Sequence, residues 1–448
     1  MNKPASPPPN NNSPEENPHV SPHSGDDQGT TDELPANLKC DPAFWGMTGT
    51  QFLGAFNDNL FKQLMLLVAV GAAAEGRDRQ GEAMVVFAIP FLLFAGPSGY
   101  LADKFRKSTI VFWSKVAEIV AMGLGMLAFY WFDLLGFGGL LFVLFLMGMQ
   151  STFFAPAKYG ILPEMLHEHD LPKANGIFLM TTFLAIIFGT ALAGVLSDQL
   201  ADQRWMAVTV CVGIAVLGTL ASTTLRRGEP SRPRARLNWD AIGMPRKVRR
   251  LLLRDHKILT ALLASCAFWL CAGVVQQSVN SLGKVQLELD DTKTSMLAGS
   301  IGAGIGIGCF IAGFLSRGRI EFGLVRLGIW GMIACLALMA LPGFDGGHLL
   351  GFYGSLPVLI ALGVFTGMFS VPIQVYLQAR APKDQKGQVI AEMSRANWLA
   401  IFLSGLLYSL FDLVLVQTES PRHYLFGLTV LILLPVALLY RPQTEELE

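Results

Sequence analysis

The sequence predicts an all-α membrane protein, with twelve transmembrane helices in two six-helix bundles and with both termini in the cytoplasm. The first observation is composition, because 52% of the residues are hydrophobic and only 15% are charged, whereas soluble proteins carry about 25% charged residues. The second is that the apolar residues form long blocks, and blocks of about 18 residues or more indicate transmembrane helices. The third is the uneven distribution of Lys and Arg between the loops.

The apolar blocks should be helices because lipid offers no hydrogen-bond partners to an irregular backbone or an open sheet edge. Reading the blocks between polar breaks gives the predicted spans, at 43–73, 82–101, 108–131, 137–157, 172–197, 204–225, 257–283, 294–315, 322–342, 350–379, 387–413 and 423–440.

Basic residues distinguish the two ends of these spans. On the side opposite the termini, the connecting segments hold six Lys and Arg residues: Arg77, Arg79, Arg204, Lys284, Lys293 and Arg422. The remaining basic residues of the connecting segments lie on the side of the termini, most densely between the sixth and seventh spans. Since cytoplasmic loops are enriched in Lys and Arg, the termini are predicted to be cytoplasmic.

The spans and loops divide the chain into five predicted segments. They are a disordered, Pro-rich cytoplasmic tail at 1–42, an N-terminal six-helix bundle at 43–225, a basic cytoplasmic central loop at 226–256, a C-terminal six-helix bundle at 257–440, and a short cytoplasmic tail at 441–448. Residues 1–39 contain eight prolines and no apolar segment of the kind that a signal peptide has.

The first span contains an unusual polar stretch, QFLGAFNDNLFKQ at 51–63. Asp58 and Lys62 are four residues apart and therefore share one face of a helix. An isolated charge at the bilayer centre costs about 2.5–3.5 kcal/mol on insertion scales, so these two either neutralise each other or meet a ligand. Asn57 and Asn59 flank them and either contact neighbouring helices or the same ligand. We predict all four as substrate-binding residues.

A weak internal echo relates this stretch to the second half of the chain. FNDNLFKQ at 56–63 resembles SVNSLGKV at 278–285, so that Asp58 corresponds to Asn280 and Lys62 to Lys284. Two parallel six-helix repeats would produce such an echo, and a substrate would then bind between the repeats near the bilayer midplane.

Two further pairs of charged residues lie within the predicted spans. Glu392 and Arg395 are three apart in the eleventh span, and Arg395 can bind phosphate through two hydrogen bonds. We include both among the substrate-binding candidates. Lys115 and Glu118 have the same spacing in the third span, which favours a structural ion pair.

The loop after the second span, GYLADKFRKS at 99–108, resembles the signature of the major facilitator superfamily. The fitting positions are Gly99, Leu101, Ala102, Asp103, Lys104 and Lys107, whereas Arg106 replaces a second glycine. The resemblance implies that this loop gates the cytoplasmic side through Gly99, Asp103, Lys104 and Lys107. Gly99 is expected to let helices approach closely, and Asp103 to face a helix N-terminus or an arginine.

Three further motifs are similar to the bacterial lysophospholipid transporter (LplT-like) family: FNDN at 56–59, FFAPAKYGILPE at 153–164 and LPKANGIF at 171–178. The likeness is strongest over 44–198. It implies transport of lysophospholipids, with re-acylation on another polypeptide because this chain ends at Glu448. It also implies that Lys158 and Tyr159 contact the lipid phosphate, although Lys158 could instead extend to the headgroups of bulk lipid.

Motifs for covalent chemistry are missing from the sequence. There is no HExxH, GxSxG, P-loop, acyltransferase or CxxC pattern, so we predict no enzyme activity, no catalytic residues, no metal and no cofactor. The net charge of zero gives no field that would favour a nucleic-acid partner.

The sequence thus predicts a multi-pass transporter of the cytoplasmic (inner) membrane. It would move lysophospholipids such as lysophosphatidylethanolamine by alternating access, for re-acylation inside. The predicted partners are the lysophospholipid substrate, membrane lipids and a separate acyltransferase. Two alternatives stay open: an exporter of another amphiphilic or drug-like molecule by proton exchange, and a non-transporting membrane scaffold for an acyltransferase.

Overall fold

The structure is a computed structural model. It describes residues 41–72, 77–167, 170–226, 228–229, 250–251, 254–316, 321–343, 347–380 and 386–440. The predicted tail (except for its last two residues), most of the predicted central loop and the segment 441–448 lie outside the described residues.

Long helices make up nearly all of the described chain. They are α1 (Pro42–Gly71), α2 (Gln80–Lys104), α3 (Lys107–Tyr130), α4 (Phe132–Gly160), α5 (Leu171–Gln199), α6 (Arg204–Ser222), α7 (His256–Ser281), α8 (Asp291–Ser316), α9 (Phe322–Met339), α10 (Gly351–Arg380), α11 (Lys386–Gln417) and α12 (Tyr424–Leu439). A single-turn helix, Leu162–Met165, follows α4. The described residues form no strand, and their one β-bridge joins Pro342 to His348.

The all-α membrane fold is confirmed. Each long helix coincides with a predicted span within a few residues, and ten helices are long and apolar enough to cross a membrane. The other two are α1, which carries the polar stretch around Asp58, and α12, which has 16 residues. The count of twelve spans and the cytoplasmic location of the termini therefore remain predictions.

The two halves of the chain begin with the same kind of helix cap. Asp41 precedes α1 and accepts a hydrogen bond from the backbone N–H of Ala43 at 3.1 Å. Asp255 precedes α7 and accepts from the N–H groups of Lys257 and Ile258 at 3.0 and 3.2 Å. An Asp at this position satisfies N–H groups that lack a partner within the helix.

Each half also has its own hydrophobic core. One core draws its buried residues from α7 to α12 and includes Phe268, Phe369 and Phe426. The largest core of the other half draws its buried residues from α1 to α6 and includes Phe61 and Met147. The predicted bundle boundaries at 43–225 and 257–440 are not tested by these cores and stay a prediction.

The halves pack against each other most extensively along two helix pairs, α5 with α8 and α2 with α11. Small residues allow the backbones to come close there, as is common between membrane helices. A Cβ on Gly405 would lie 2.6 Å from the carbonyl oxygen of Gly81, and a Cβ on Gly194 would lie 2.5 Å from that of Asp291.

The internal echo does not relate equivalent positions. Asp58 lies near the middle of α1, whereas Asn280 lies in the last turn of α7. Lys284 lies beyond α7, in a π-helical turn at Leu282–Gln286. The correspondence of Asp58 with Asn280 and of Lys62 with Lys284 is therefore wrong as a statement about depth in the bundle.

Candidate functional site

Asp58 is held by two neutral donors on α4. The hydroxyl of Ser151 donates to its Oδ2 at 2.7 Å, and the side-chain amide of Gln150 donates to its Oδ1 at 3.3 Å. The ammonium of Lys62 lies 5.9 Å from the centre of the Phe87 ring on α2. Both charged side chains are half-buried. The described structure contains no ion pair between Asp58 and Lys62, so each can meet an opposite charge from a ligand.

The two flanking amides have different partners. The amide nitrogen of Asn57, which is fully buried, donates to Glu118 Oε1 on α3 at 2.7 Å. The amide nitrogen of Asn59 donates to the carbonyl of Ala55 in its own helix at 2.7 Å. Asn57 thus connects α1 to α3. The bond of Asn59 stays within α1.

Behind Asn57 lies a buried ion pair, as the spacing predicted. Lys115 and Glu118 of α3 bond to each other, and their side chains are only 2% and 1% exposed. Gly54 of α1 makes room for the lysine, because a Cβ there would lie 2.5 Å from its Nζ. This pair and Asn57 form a charged support behind α1 rather than an open binding surface.

The remaining candidate residues lie closer to the ends of the helices. The Lys158 ammonium sits 5.0 Å from the ring centre of Tyr159, which is exposed at the end of α4. Glu392, which is buried, and Arg395 form an ion pair early in α11. No described contact joins either pair to Asp58, so the structure does not gather all eight predicted substrate-binding residues into one cluster.

An aromatic group connects the region of Lys62 with α11. Trp398 stacks on Phe91 with ring centres 3.5 Å apart and meets Phe87 edge-on at 5.8 Å. Trp398 is three residues beyond Arg395, which places the two on one side of α11. Arg395 therefore lies close along α11 to Trp398, whose ring contacts Phe87. The Lys62 ammonium lies over the same Phe87 ring.

The predicted gating residues lie at the junction of α2 and α3. Lys107 forms an ion pair with Glu164 of the single-turn helix after α4, and Lys104 donates to the hydroxyl of Tyr100 at 2.9 Å. Asp103 is partly buried, and its role stays a prediction. The prediction that Gly99 lets helices approach closely is wrong, because among the described atoms nothing lies within 4 Å of the position that a Cβ on Gly99 would take.

A network of polar side chains closes the end of the molecule at which α1 ends and α2 begins, here called the α1–α2 end. Gln63 of α1 donates to Asn280 of α7 at 3.0 Å, and Asn280 donates to Gln80 of α2 at 2.9 Å. The Tyr408 hydroxyl of α11 donates to Asp78 at 2.7 Å. Each bond joins the first half to the second, and these residues are all buried.

Asp78 precedes α2 and lies outside the spanning segments. It also accepts from the backbone N–H and the side-chain amide of Gln80, at 3.0 and 3.1 Å. Burial raises the pKa of the Asp78 carboxyl from its ordinary value of 3.8 to about 6, although the bonds from Gln80 and Tyr408 oppose this rise.

A second closure at the same end involves α5 and α8. Asp198, in the last turn of α5, accepts from the backbone N–H groups of Asp291 and Thr292 at 2.9 and 2.7 Å. Ser197 donates to the Asp291 carboxylate at 2.6 Å, and Lys284 forms an ion pair with it at 2.6 Å. A carboxylate from the first half therefore caps a helix of the second half.

At the opposite end, where α2 meets α3, the described ion pairs stay within one half. Arg226 binds Asp41 at 2.9 Å, and Arg380 binds Asp255 at 3.2 Å. The hydrogen bonds between the halves that involve Asp78, Asp198 and Asn280 lie at the α1–α2 end.

The comparison with known families agrees with this architecture. The family model of the Major Facilitator Superfamily matches residues 47–405. The chain belongs to this superfamily.

Several similar proteins support the assignment. The Lysophospholipid transporter LplT of Escherichia coli (strain SE11) is 28% identical over 372 residues, covering 80% of this chain and 86% of that protein. The LplT of Salmonella arizonae is 26% identical over 415 residues, covering 90% and 96%. A crystal structure of a POT family transporter with 5-aminolevulinic acid shares the fold, with a TM-score of 0.68, 14% identity and coverage of 88% and 95%.

Sequence reasoning missed some residues that this superfamily member places around the candidate site. Gln150 and Ser151 hold Asp58, and their signal was present as a polar pair within the apolar fourth span. Asp78 and Tyr408 gave no signal, because they are 330 residues apart and only the fold brings them together.

Proposed function

We propose that this chain transports lysophospholipids, such as lysophosphatidylethanolamine, across the cytoplasmic (inner) membrane. The LplT relatives, which the chain matches over 86% and 96% of their length, support the substrate class. The observation on which the proposal rests is the arrangement of Asp58 and Lys62, an acid and a base on one helix face that are not bonded to each other.

The headgroup chemistry matches these two charges. A lysophosphatidylethanolamine headgroup carries an ammonium and a phosphate. The Asp58 carboxylate, oriented by Ser151 and Gln150, would bind the ammonium, and the Lys62 ammonium would bind the phosphate. Because each charge is costly within a membrane, a zwitterion that neutralises both gains binding energy at this point. No bond is made or broken, so the chain's residues need only bind and release.

The closed α1–α2 end supports alternating access. If the termini are cytoplasmic, as the basic loops indicate, this end faces outward and the structure corresponds to a state closed on the outer side. Transport of a lysolipid from the outer to the inner side then requires the bonds of Asp78 with Tyr408 and of Asp198 with α8 to break and re-form. The lysolipid would be released inside, where a separate acyltransferase re-acylates it.

Uptake of labelled lysophosphatidylethanolamine by spheroplasts tests the proposal. Cells expressing the chain should accumulate label well above vector controls, and Asp58→Asn should lower uptake about tenfold or more, since hydrogen bonds to charged groups contribute about 1.5–3 kcal/mol. Asp133→Asn, an acid-to-amide change at an exposed position of α4, is the matched control and should retain uptake. Uptake equal to the vector control would refute the proposal.

The same assay separates the alternatives. Export of a drug-like molecule that depends on an imposed pH gradient, without lysolipid uptake, would favour the proton-exchange exporter. Lysolipid uptake that survives both Asp58→Asn and Arg395→Ala but is lost on deletion of residues 1–40 would favour the scaffold.

A further inference from the structure

An apolar groove lies beside the candidate site, within the first half of the chain. It is formed by α2, α3 and α4 and has a volume of about 740 Å³, which is within the range of small-molecule sites. All but three of its lining residues are apolar, and the three polar ones are Thr109, Ser114 and Gln150. The groove belongs to one half only, so it is separate from the contacts between halves.

The groove is open toward the lipid-facing side. Trp113 and Val120 of α3 line it and are 62% and 57% exposed, whereas Ala121, which also lines it, is buried. Its wall therefore meets the membrane, and its floor lies inside the bundle. The groove also includes Phe105, which lies between α2 and α3.

Gln150 connects the groove to the polar site. Gln150 is among the residues that line the groove, and its amide nitrogen donates to Asp58 Oδ1 at 3.3 Å. The apolar groove thus includes the residue that orients the proposed headgroup-binding carboxylate. A molecule that fits both parts has one apolar chain and one polar head.

We propose that this groove binds the single acyl chain of the transported lysolipid while its headgroup is at Asp58 and Lys62. The inference rests on the proposed function. A headgroup that enters the protein must leave its chain in apolar surroundings, because exposing the chain to a water-filled path is unfavourable. A groove open to the membrane keeps the chain out of water, and its volume of about 740 Å³ is of the size of a small-molecule site.

Narrowing the groove tests the inference through chain-length preference. Ala117 and Val120 line the groove and are both exposed, so Ala117→Phe and Val120→Trp should fold. Each should lower uptake of lysophosphatidylethanolamine with an 18-carbon chain about tenfold and leave uptake of a 10-carbon chain nearly unchanged. Leu124→Trp, at an exposed position of α3 outside the groove, is the matched control and should change neither.

Photocrosslinking distinguishes the substrate's chain from that of bulk lipid. Lysolipid with a diazirine on its chain should label groove residues of α3 more than a diacyl lipid with the same probe, and unlabelled lysolipid should compete. Equal labelling by the diacyl lipid, or equal loss for both chain lengths in both variants, would overturn the inference. If the wild-type chain transports no lysolipid of either length, the proposed function itself fails.

Discussion

Removing the Tyr408 hydroxyl should loosen the α1–α2 end. This hydroxyl donates to Asp78 Oδ2 at 2.7 Å, across the two halves, and Tyr408 is fully buried. Tyr408→Phe deletes this bond, together with the bond that the Gln80 amide donates to the same hydroxyl at 3.2 Å, with little change of shape, and it leaves the two bonds from Gln80 to Asp78 in place. A hydrogen bond to a charged group contributes about 1.5–3 kcal/mol, so the population open at this end should rise roughly 10- to 150-fold.

Ser281 offers a reporter for this opening. It lies in the last turn of α7 and is fully buried, so Ser281→Cys should react with a membrane-impermeant maleimide only when the end opens. In a background without the native cysteines, Tyr408→Phe should raise the labelling rate by the factor given above. Tyr353→Phe is the matched control, because Tyr353 is 83% exposed. Labelling that is unchanged by Tyr408→Phe would refute the role of this bond.

Three other predictions concern charged groups that the structure buries or pairs. Lys115→Met should lower the free energy of unfolding by about 3–5 kcal/mol, measured by thermal unfolding in detergent, because Glu118 keeps an unpaired buried charge; replacing both residues by apolar ones should recover most of it. Asp198→Ala should raise labelling of Ser281→Cys roughly 2- to 30-fold, since a lost helix cap costs about 0.5–2 kcal/mol. Because the Asp78 pKa is raised from 3.8 to about 6, closure should be strongest below pH 3.8 and weaken as pH rises through 6, so the labelling rate of Ser281→Cys, divided by that of an exposed cysteine at the same pH, should rise over this range, and Asp78→Asn should abolish that rise.

The sequence was sufficient for the helices and insufficient for their contacts. Long apolar blocks are local signals, so the predicted spans agree with the helix bounds within a few residues. The bonds of Asp78 with Tyr408 and of Asp198 with α8 depend on how distant helices pack, and spacing along the chain does not encode that. Gly99 fits a sequence signature, yet close approaches between the halves occur at Gly194 and Gly405.

The candidate site divides in the same way. Helical periodicity correctly placed Asp58 and Lys62 on one helix and predicted the pair of Lys115 with Glu118. It left open whether Asp58 and Lys62 bond to each other; among the described residues they do not, and the Asp58 carboxylate accepts from Ser151 and Gln150 of α4. The predicted correspondence of Asp58 with Asn280 failed because similar short sequences in two helices do not fix equal depth in the bundle.

Helix α1 connects the proposed headgroup site with the closed end. Lys62, the proposed phosphate contact, is followed directly by Gln63, whose amide donates to Asn280 and Ser295 of the second half at 3.0 and 3.3 Å. A rigid helix cannot shift one of two consecutive residues without the other, so a headgroup that moves Lys62 also strains or strengthens the bonds of Gln63. Binding energy at the site is thereby available to change the stability of the closed α1–α2 end, which is the differential affinity that any ligand-driven change of state requires.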